Sequence, residues 1–214
     1  RLAQVNATGD LTINATTIRN GLMSDGIYGG GALRVDGGTL TIDGSTLSDN
    51  ITTAYGGAVF ARNDATLTIT NSTLSGNRAF RGGAVMGRNS AVTLTDSAVD
   101  GNVAKRSGGG IQVEDGRLTL TGGTVNDNGW EPGQIGVVGY VDYAGGVYAD
   151  GATVSITGTE IDGNYGGYIG GGVLLADVTG ATITGATITG NTAGDGGGVA
   201  WGRFGDGGIY AVTG

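Results

Sequence analysis

One short motif constrains this chain more than any other feature. Gly30-Gly31-Ala32-Leu33 returns as Gly56-Gly57-Ala58-Val59, Gly82-Gly83-Ala84-Val85, Gly108-Gly109-Gly110-Ile111, Ala144-Gly145-Gly146-Val147, Gly170-Gly171-Gly172-Val173 and Gly196-Gly197-Gly198-Val199. The final residues of these tetrapeptides are spaced 26, 26, 26, 36, 26 and 26. A fixed period of this length marks a repeat architecture, in which each unit buries its apolar face only against its neighbours. The single 36 is the same unit with ten extra residues, carried in a loop spanning 129–145.

Inside each unit the apolar residues alternate with period two. Thr39-Leu40-Thr41-Ile42, Thr66-Leu67-Thr68-Ile69-Thr70 and Thr153-Val154-Ser155-Ile156-Thr157 place aliphatic side chains on one face and hydroxyls on the other, which is the pattern of half-buried strands. A second short strand ends in Leu47, Leu74, Val99, Val125, Ile161 or Ile188, and three residues later stand Asn50, Asn77, Asn102, Asn128, Asn164 and Asn191. The third strand is the glycine tetrapeptide with the residues after it, such as Val85-Met86 or Val173-Leu174-Leu175. The expected fold is therefore all-β: a right-handed parallel β-helix, three strands per ~26-residue coil, about seven coils, forming one domain over 1–214. At ~4.8 Å per coil the stack is a rod roughly 34 Å long with ladders of Leu, Ile and Val inside. The glycine pairs are expected to permit positive φ and close approach between coils, and the asparagines to form a ladder through stacked amides. Asn63, Asn89, Asp115 and Asp177, with Asp36-Gly37 and Asp150-Gly151, repeat the logic at a second turn.

The pairing of Gly-Gly-Ala-(Val/Ile/Leu) with apolar-x-x-Asn resembles the repeat of the chlamydial polymorphic outer-membrane proteins and related autotransporter adhesin passengers. Those repeats carry Phe where this chain has Leu74, Val99 or Ile188, and the first coil has Ile18-Arg19-Asn20. The resemblance implies an extracellular or bacterial cell-surface protein. It would attach to a host or neighbouring-cell surface through glycan or protein.

Composition narrows the function classes. The net charge is −8, with sixteen Asp against three Glu and a single lysine beside ten arginines. No basic stripe suits a phosphate backbone, so nucleic acid is not an expected partner. No segment has the apolar length of a membrane-spanning helix. The absence of cysteine and histidine removes thiolate catalysis and Cys- or His-type metal sites.

Four features are candidates for function. Outward threonines, Thr39 and Thr41, Thr66 and Thr68, Thr93 and Thr95, Thr119 and Thr121, Thr153 and Ser155, Thr182 and Thr184, are expected to stack as two rows, which resemble the ranks of ice-binding solenoids. Aromatic residues Trp130, Tyr140, Tyr143, Tyr165 and Tyr168 gather around the insertion as a candidate glycan- or protein-binding patch. The competing expectation is a structural ladder of Tyr28, Tyr55, Phe80, Tyr143 and Tyr168, four or five residues before each repeat marker. Turn carboxylates Asp36, Asp64, Asp115, Asp150 and Asp177 could offer oxygen ligands to Ca²⁺, although no dense calcium loop is present, so no cofactor is expected. Finally, Asp100, Asp127, Asp162 and Glu160, near Lys105 and Arg106, are the pairable acids and nearest bases for polysaccharide cleavage of the pectate-lyase type. Their spacing is that of surface charges, so a non-catalytic structural or adhesive solenoid is the expected function. Neither end shows an amphipathic helix or polar terminal repeat, which admits end-to-end self-association into filaments.

Overall fold

In the computed structural model the described residues are 1–24, 29–130, 143–194, 196–202 and 209–213. All described regular structure is β, and every strand pairs in parallel with its copy one coil away. The first sheet has eight strands: Ala3–Val5, Leu33–Asp36, Val59–Arg62, Val85–Arg88, Ile111–Glu114, Val147–Asp150, Val173–Ala176 and Val199–Gly202. The second, also eight-stranded, begins with Asp10–Asn14, Thr39–Asp43 and Thr66–Thr70 and ends with Ile209–Thr213. The third holds seven three-residue strands from Thr17–Arg19 to Thr187–Thr189.

A fourth, five-stranded sheet adds to the three strands per coil read from the sequence. It comprises Leu22–Met23, Ile51–Thr52, Arg78–Arg81, Val103–Ser107 and Gly129–Trp130, between the asparagine turn and the glycine tetrapeptide. Its inward side chains are small, Thr52, Ala79 and Ala104, so the aliphatic alternation that betrays the other sheets is missing here.

The interior is the expected set of ladders. Leu40, Leu67, Val92, Leu118, Val154 and Ala181 stack in register, as do Ile42, Ile69, Leu94, Leu120, Ile156 and Ile183, and all are buried. Fully burying such a side chain contributes roughly 1.5–3 kcal/mol, which offsets the chain entropy of so many short strands and turns.

The two glycines of each tetrapeptide serve different ends. The first stands at positive φ, +63° at Gly56, Gly82 and Gly108, and Ala144 takes the same conformation at 53°. The second has no room for a side chain: a Cβ on Gly57 would meet the carbonyl oxygen of Gly83, and one on Gly83 that of Gly109.

The asparagine ladder is continuous, and it is buried from Asn50 to Asn164. Each amide oxygen from Asn77 to Asn191 accepts from the backbone N–H and the Nδ2 of the asparagine one coil earlier. Asn20 is not part of it. Its φ is 58°, matching Asp49 at 55°, and Gly21 occupies the ladder position and donates its N–H to Asn50 Oδ1 at 2.8 Å.

Candidate functional site

The outward side chains distinguish one flank of the solenoid from the others. On the second and third sheets they are mostly Thr, Ser, Asn and Asp. On the first sheet the outward second position holds Arg34, Phe60, Met86, Gln112, Tyr148 and Leu174 in register. These residues point away from the core by strand alternation, yet Phe60 is 2% exposed and Met86 and Gln112 are 0%. The segment entering each coil covers them. Tyr55 packs on Phe60 with ring centroids 5.5 Å apart, Tyr143 stacks on Tyr148 at 6.0 Å, and Ser107 Oγ donates to Gln112 Oε1 at 2.7 Å. Ala144, Tyr148, Leu174, Ala176 and Ala200 form a second small core here, outside the main one.

Charged residues brace this outer layer. Glu114 Oε1 accepts from Arg81 Nη1 at 2.8 Å and Gln112 Nε2 at 2.7 Å, and its Oε2 accepts from Arg88 Nε and Nη2 at 3.0 and 2.8 Å. The Arg88 guanidinium also lies 4.9 Å from the Tyr55 ring centre. Three coils from Glu114, Asp36 accepts from Arg62, Arg34 and Asn63. The hydrogen bond from Arg62 is the main reason its carboxyl is held at about 2. Burial acts the other way on Tyr148 and Asp150: desolvation raises both, and Tyr148 Oη donates to Asp150 Oδ2 at 3.1 Å.

The sequence-predicted aromatic patch divides. Tyr140 lies outside the described residues, as does the side chain of Trp130, whose backbone pairs with Ala104 at the end of the fourth sheet. Tyr143 is half-buried on Tyr148 and belongs to the outer core. Tyr165 and Tyr168 are 46% and 60% exposed. Tyr165 pairs with Gly129 and Thr192, in the fourth-sheet column that contains Ile51, Arg78 and Val103. The alternative aromatic ladder is not a single column. Tyr55 and Tyr143 share one column with Arg81, Ser107 and Ile169, whereas Phe80 and Tyr168 stand one residue earlier, and Tyr28 lies outside the described residues.

The threonine rows are also rearranged. Thr12, Thr41, Thr68, Thr93, Thr119, Ser155 and Thr182 make one unbroken column. Thr39 and Thr66 continue into Ala91, Arg117, Thr153 and Gly180, and Thr95 and Thr121 belong to a third column that includes Asp43. The offset arises because the first position of the strand is Ala91, Arg117 and Gly180 in three coils, so the first threonines there, Thr93, Thr119 and Thr182, stand at the middle position.

Among the carboxylates considered as calcium ligands, Asp36 is engaged by arginines and Asp150 by Tyr148, and Asp64, Asp115 and Asp177 are positive-φ turn residues. No three His, Cys, Asp or Glu residues among the described ones are grouped to hold a metal ion. Asp100, Asp127, Glu160 and Asp162 spread over three successive coils of the third sheet and its turn. The acids that do face each other are Glu114 and Asp150, paired across adjacent first-sheet strands. The sequence signal for them was the charged fourth position of that strand, Asp36, Arg62, Arg88, Glu114 and Asp150.

The fourth sheet carries an open groove of about 380 Å³, lined by Ile51, Thr52, Thr53, Arg78, Ala79, Phe80, Val103 and Lys105. Ile51, Arg78 and Lys105 are exposed.

A family model for a right-handed β-helix region matches residues 2–212. The chain belongs to that family. No curated protein and no solved structure matches it. For a β-helix the match fixes the architecture, and the chemistry must be argued from the flank where the fourth sheet meets the first.

Proposed function

We propose that this β-helix is an extracellular structural and adhesive scaffold that holds a surface glycan against Tyr165 and Tyr168. The carrying observation is the contrast among its tyrosines. Tyr55, Tyr143 and Tyr148 are committed to ring contacts within the outer layer, whereas Tyr165 and Tyr168 stand exposed three residues apart, Tyr165 paired with Gly129 on the preceding coil. Exposed aromatic rings offer a flat apolar face with a polar tip, which suits stacking on sugar rings. The likeness of the repeat to chlamydial outer-membrane and autotransporter passengers supports a place on a bacterial surface. A scaffold role also agrees with Glu114, whose two oxygens are taken up by Arg81, Arg88 and Gln112 and so brace the sheet rather than await a substrate.

The test is a glycan array probed with the native chain and with Tyr165→Ala/Tyr168→Ala, with circular dichroism to establish that both are folded. Binding that drops at least tenfold in the variant supports the reading. Array silence from the folded native chain, or binding indifferent to the substitutions, overturns it.

A further inference from the structure

The register of the second sheet builds a two-row hydroxyl face. From Thr66–Thr70 to Gly180–Thr184, five successive strands carry an outward hydroxyl at both the middle and the last position. Thr68 and Thr70 stand at one end, Thr182 and Thr184 at the other, and Ser155 is the one serine. No register shift interrupts these four pairings. The intervening Leu67, Ile69 and their copies are buried, so the hydroxyls share the outer side, where they are exposed or half-buried. Rungs repeat at ~4.8 Å along the rod and the two rows lie ~6.6 Å apart across it, over a length of roughly 19 Å. Neither row holds a charged or aromatic side chain in these strands; Asp43 and Asn14 take the last position only in the two earlier coils. The hydroxyls are also uncommitted. In the turn beyond, Ser72, Ser97 and Thr159 donate theirs to backbone carbonyls, whereas no hydroxyl of the two rows is hydrogen-bonded within the protein among the described residues.

We infer that this face binds the surface of ice. Scattered hydroxyls only exchange bonds with liquid water, but a rigid repeat in two directions favours a ligand that itself repeats in two directions. The backbone N–H and C=O groups of these strands are spent on neighbouring coils, so no peptide can add as a strand and only side chains are offered. The rows lack the aromatic rings on which a sugar would stack. Threonine suits ordered water on both counts: its hydroxyl donates once and accepts twice, and its methyl gives water an apolar surface to enclose. Its β-branch restricts χ1, so the array is set before the ligand arrives and little side-chain entropy is lost on binding. Each contact is weak, because a hydroxyl leaves water only to meet water again. The contacts act together on one scaffold, and the loss of rigid-body freedom is incurred once for all of them. Ice growing between rods anchored in this way must curve, which lowers its freezing point below its melting point. The face involves neither Tyr165 nor Tyr168, so this inference and the glycan reading stand or fall separately.

Thermal hysteresis of single ice crystals in solutions of the native chain reads the binding. The native chain should open a gap between freezing and melting that widens with protein concentration, and should facet the crystals. Thr119→Tyr and Thr121→Tyr each raise a bulky ring at the centre of the face and should each reduce the gap severalfold. Thr187→Tyr, an equally exposed exchange on the third sheet, should leave it unchanged. Circular dichroism melts establish which chains are folded, and either centre variant suffices if the other is not. Absence of a gap from the folded native chain, a gap indifferent to a folded centre variant, or equal loss in a folded Thr187→Tyr would overturn the inference. Adsorption of the native chain to microcrystalline cellulose without any effect on ice would overturn it as well.

Discussion

Asn77 Oδ1 accepts two hydrogen bonds from Asn50 on the preceding coil, one from the backbone N–H at 3.0 Å and one from Nδ2 at 2.9 Å. The Asn77 Nδ2 in turn reaches back to Leu47 O at 2.9 Å and up to Asn102 Oδ1 at 2.9 Å. One buried side chain thereby ties three coils together. Asn77→Ala orphans the buried Asn50 N–H and should cost about 3 kcal/mol, read as a lowered midpoint in urea unfolding. Asn191→Ala, at the partly exposed end of the ladder, should cost about 1 kcal/mol.

The two kinds of glycine separate in the same assay. Gly57→Ala sets a methyl against the Gly83 carbonyl of the next coil, and neither backbone can yield without breaking rung pairing. It should abolish folding or cost more than about 4 kcal/mol. Gly101→Ala meets nothing within 4 Å but must hold φ +60°, and it should cost only about 1 kcal/mol.

The outer layer makes a third prediction. Phe60 points away from the main core yet is buried against Tyr55, so Phe60→Ala should destabilise by about 3 kcal/mol, as a core residue does. A loss within about 0.5 kcal/mol, typical of a surface substitution, would show that no second core exists on this flank.

Acid stability should depend on Asp36. Its folded carboxyl is held at about 2 against an ordinary 3.8, so the arginine pairs stabilise the fold above about pH 4, and that contribution disappears as pH falls toward 2. With Arg62 31% exposed, screening leaves roughly 1 kcal/mol. Asp36→Asn should therefore lower the melting midpoint at about pH 7 and show less further loss than the native chain between about pH 4 and 2. Asp150 runs the other way. Desolvation raises its folded carboxyl, so it weakens the fold once pH exceeds the ordinary carboxylate range, and Asp150→Asn, still able to accept from Tyr148, should be neutral or slightly stabilising at about pH 7.

Much of the fold was legible because a solenoid writes its geometry into a period. The 26-residue spacing, the Leu-x-Ile alternation and the asparagines each named a column that the structure then stacks. What escaped was whatever broke the period or lacked a strong side chain. Where Ala91, Arg117 and Gly180 take the first strand position, the threonine pairs lie one pleat further along, and residue type alone did not fix their register. The fourth sheet, built on Thr52, Ala79 and Ala104, had no aliphatic alternation to find. Asn20 matched the motif by type but took the neighbouring left-handed position. The candidate site was half legible. Exposed Tyr165 and Tyr168 were in the predicted patch, but the sequence could not tell that Tyr143 would be absorbed by Tyr148, because that contact depends on an entering segment folding over the outside of the first sheet.

Hydroxyl-radical footprinting of the chain, with and without the glycan that binds it most tightly, is the sharpest test of glycan binding at the exposed tyrosines. Oxidation of the peptide containing Tyr165 and Tyr168 is expected to fall severalfold on binding, while buried Met86 is unreactive in both states. Full reactivity of both tyrosines in the saturated complex would contradict that role.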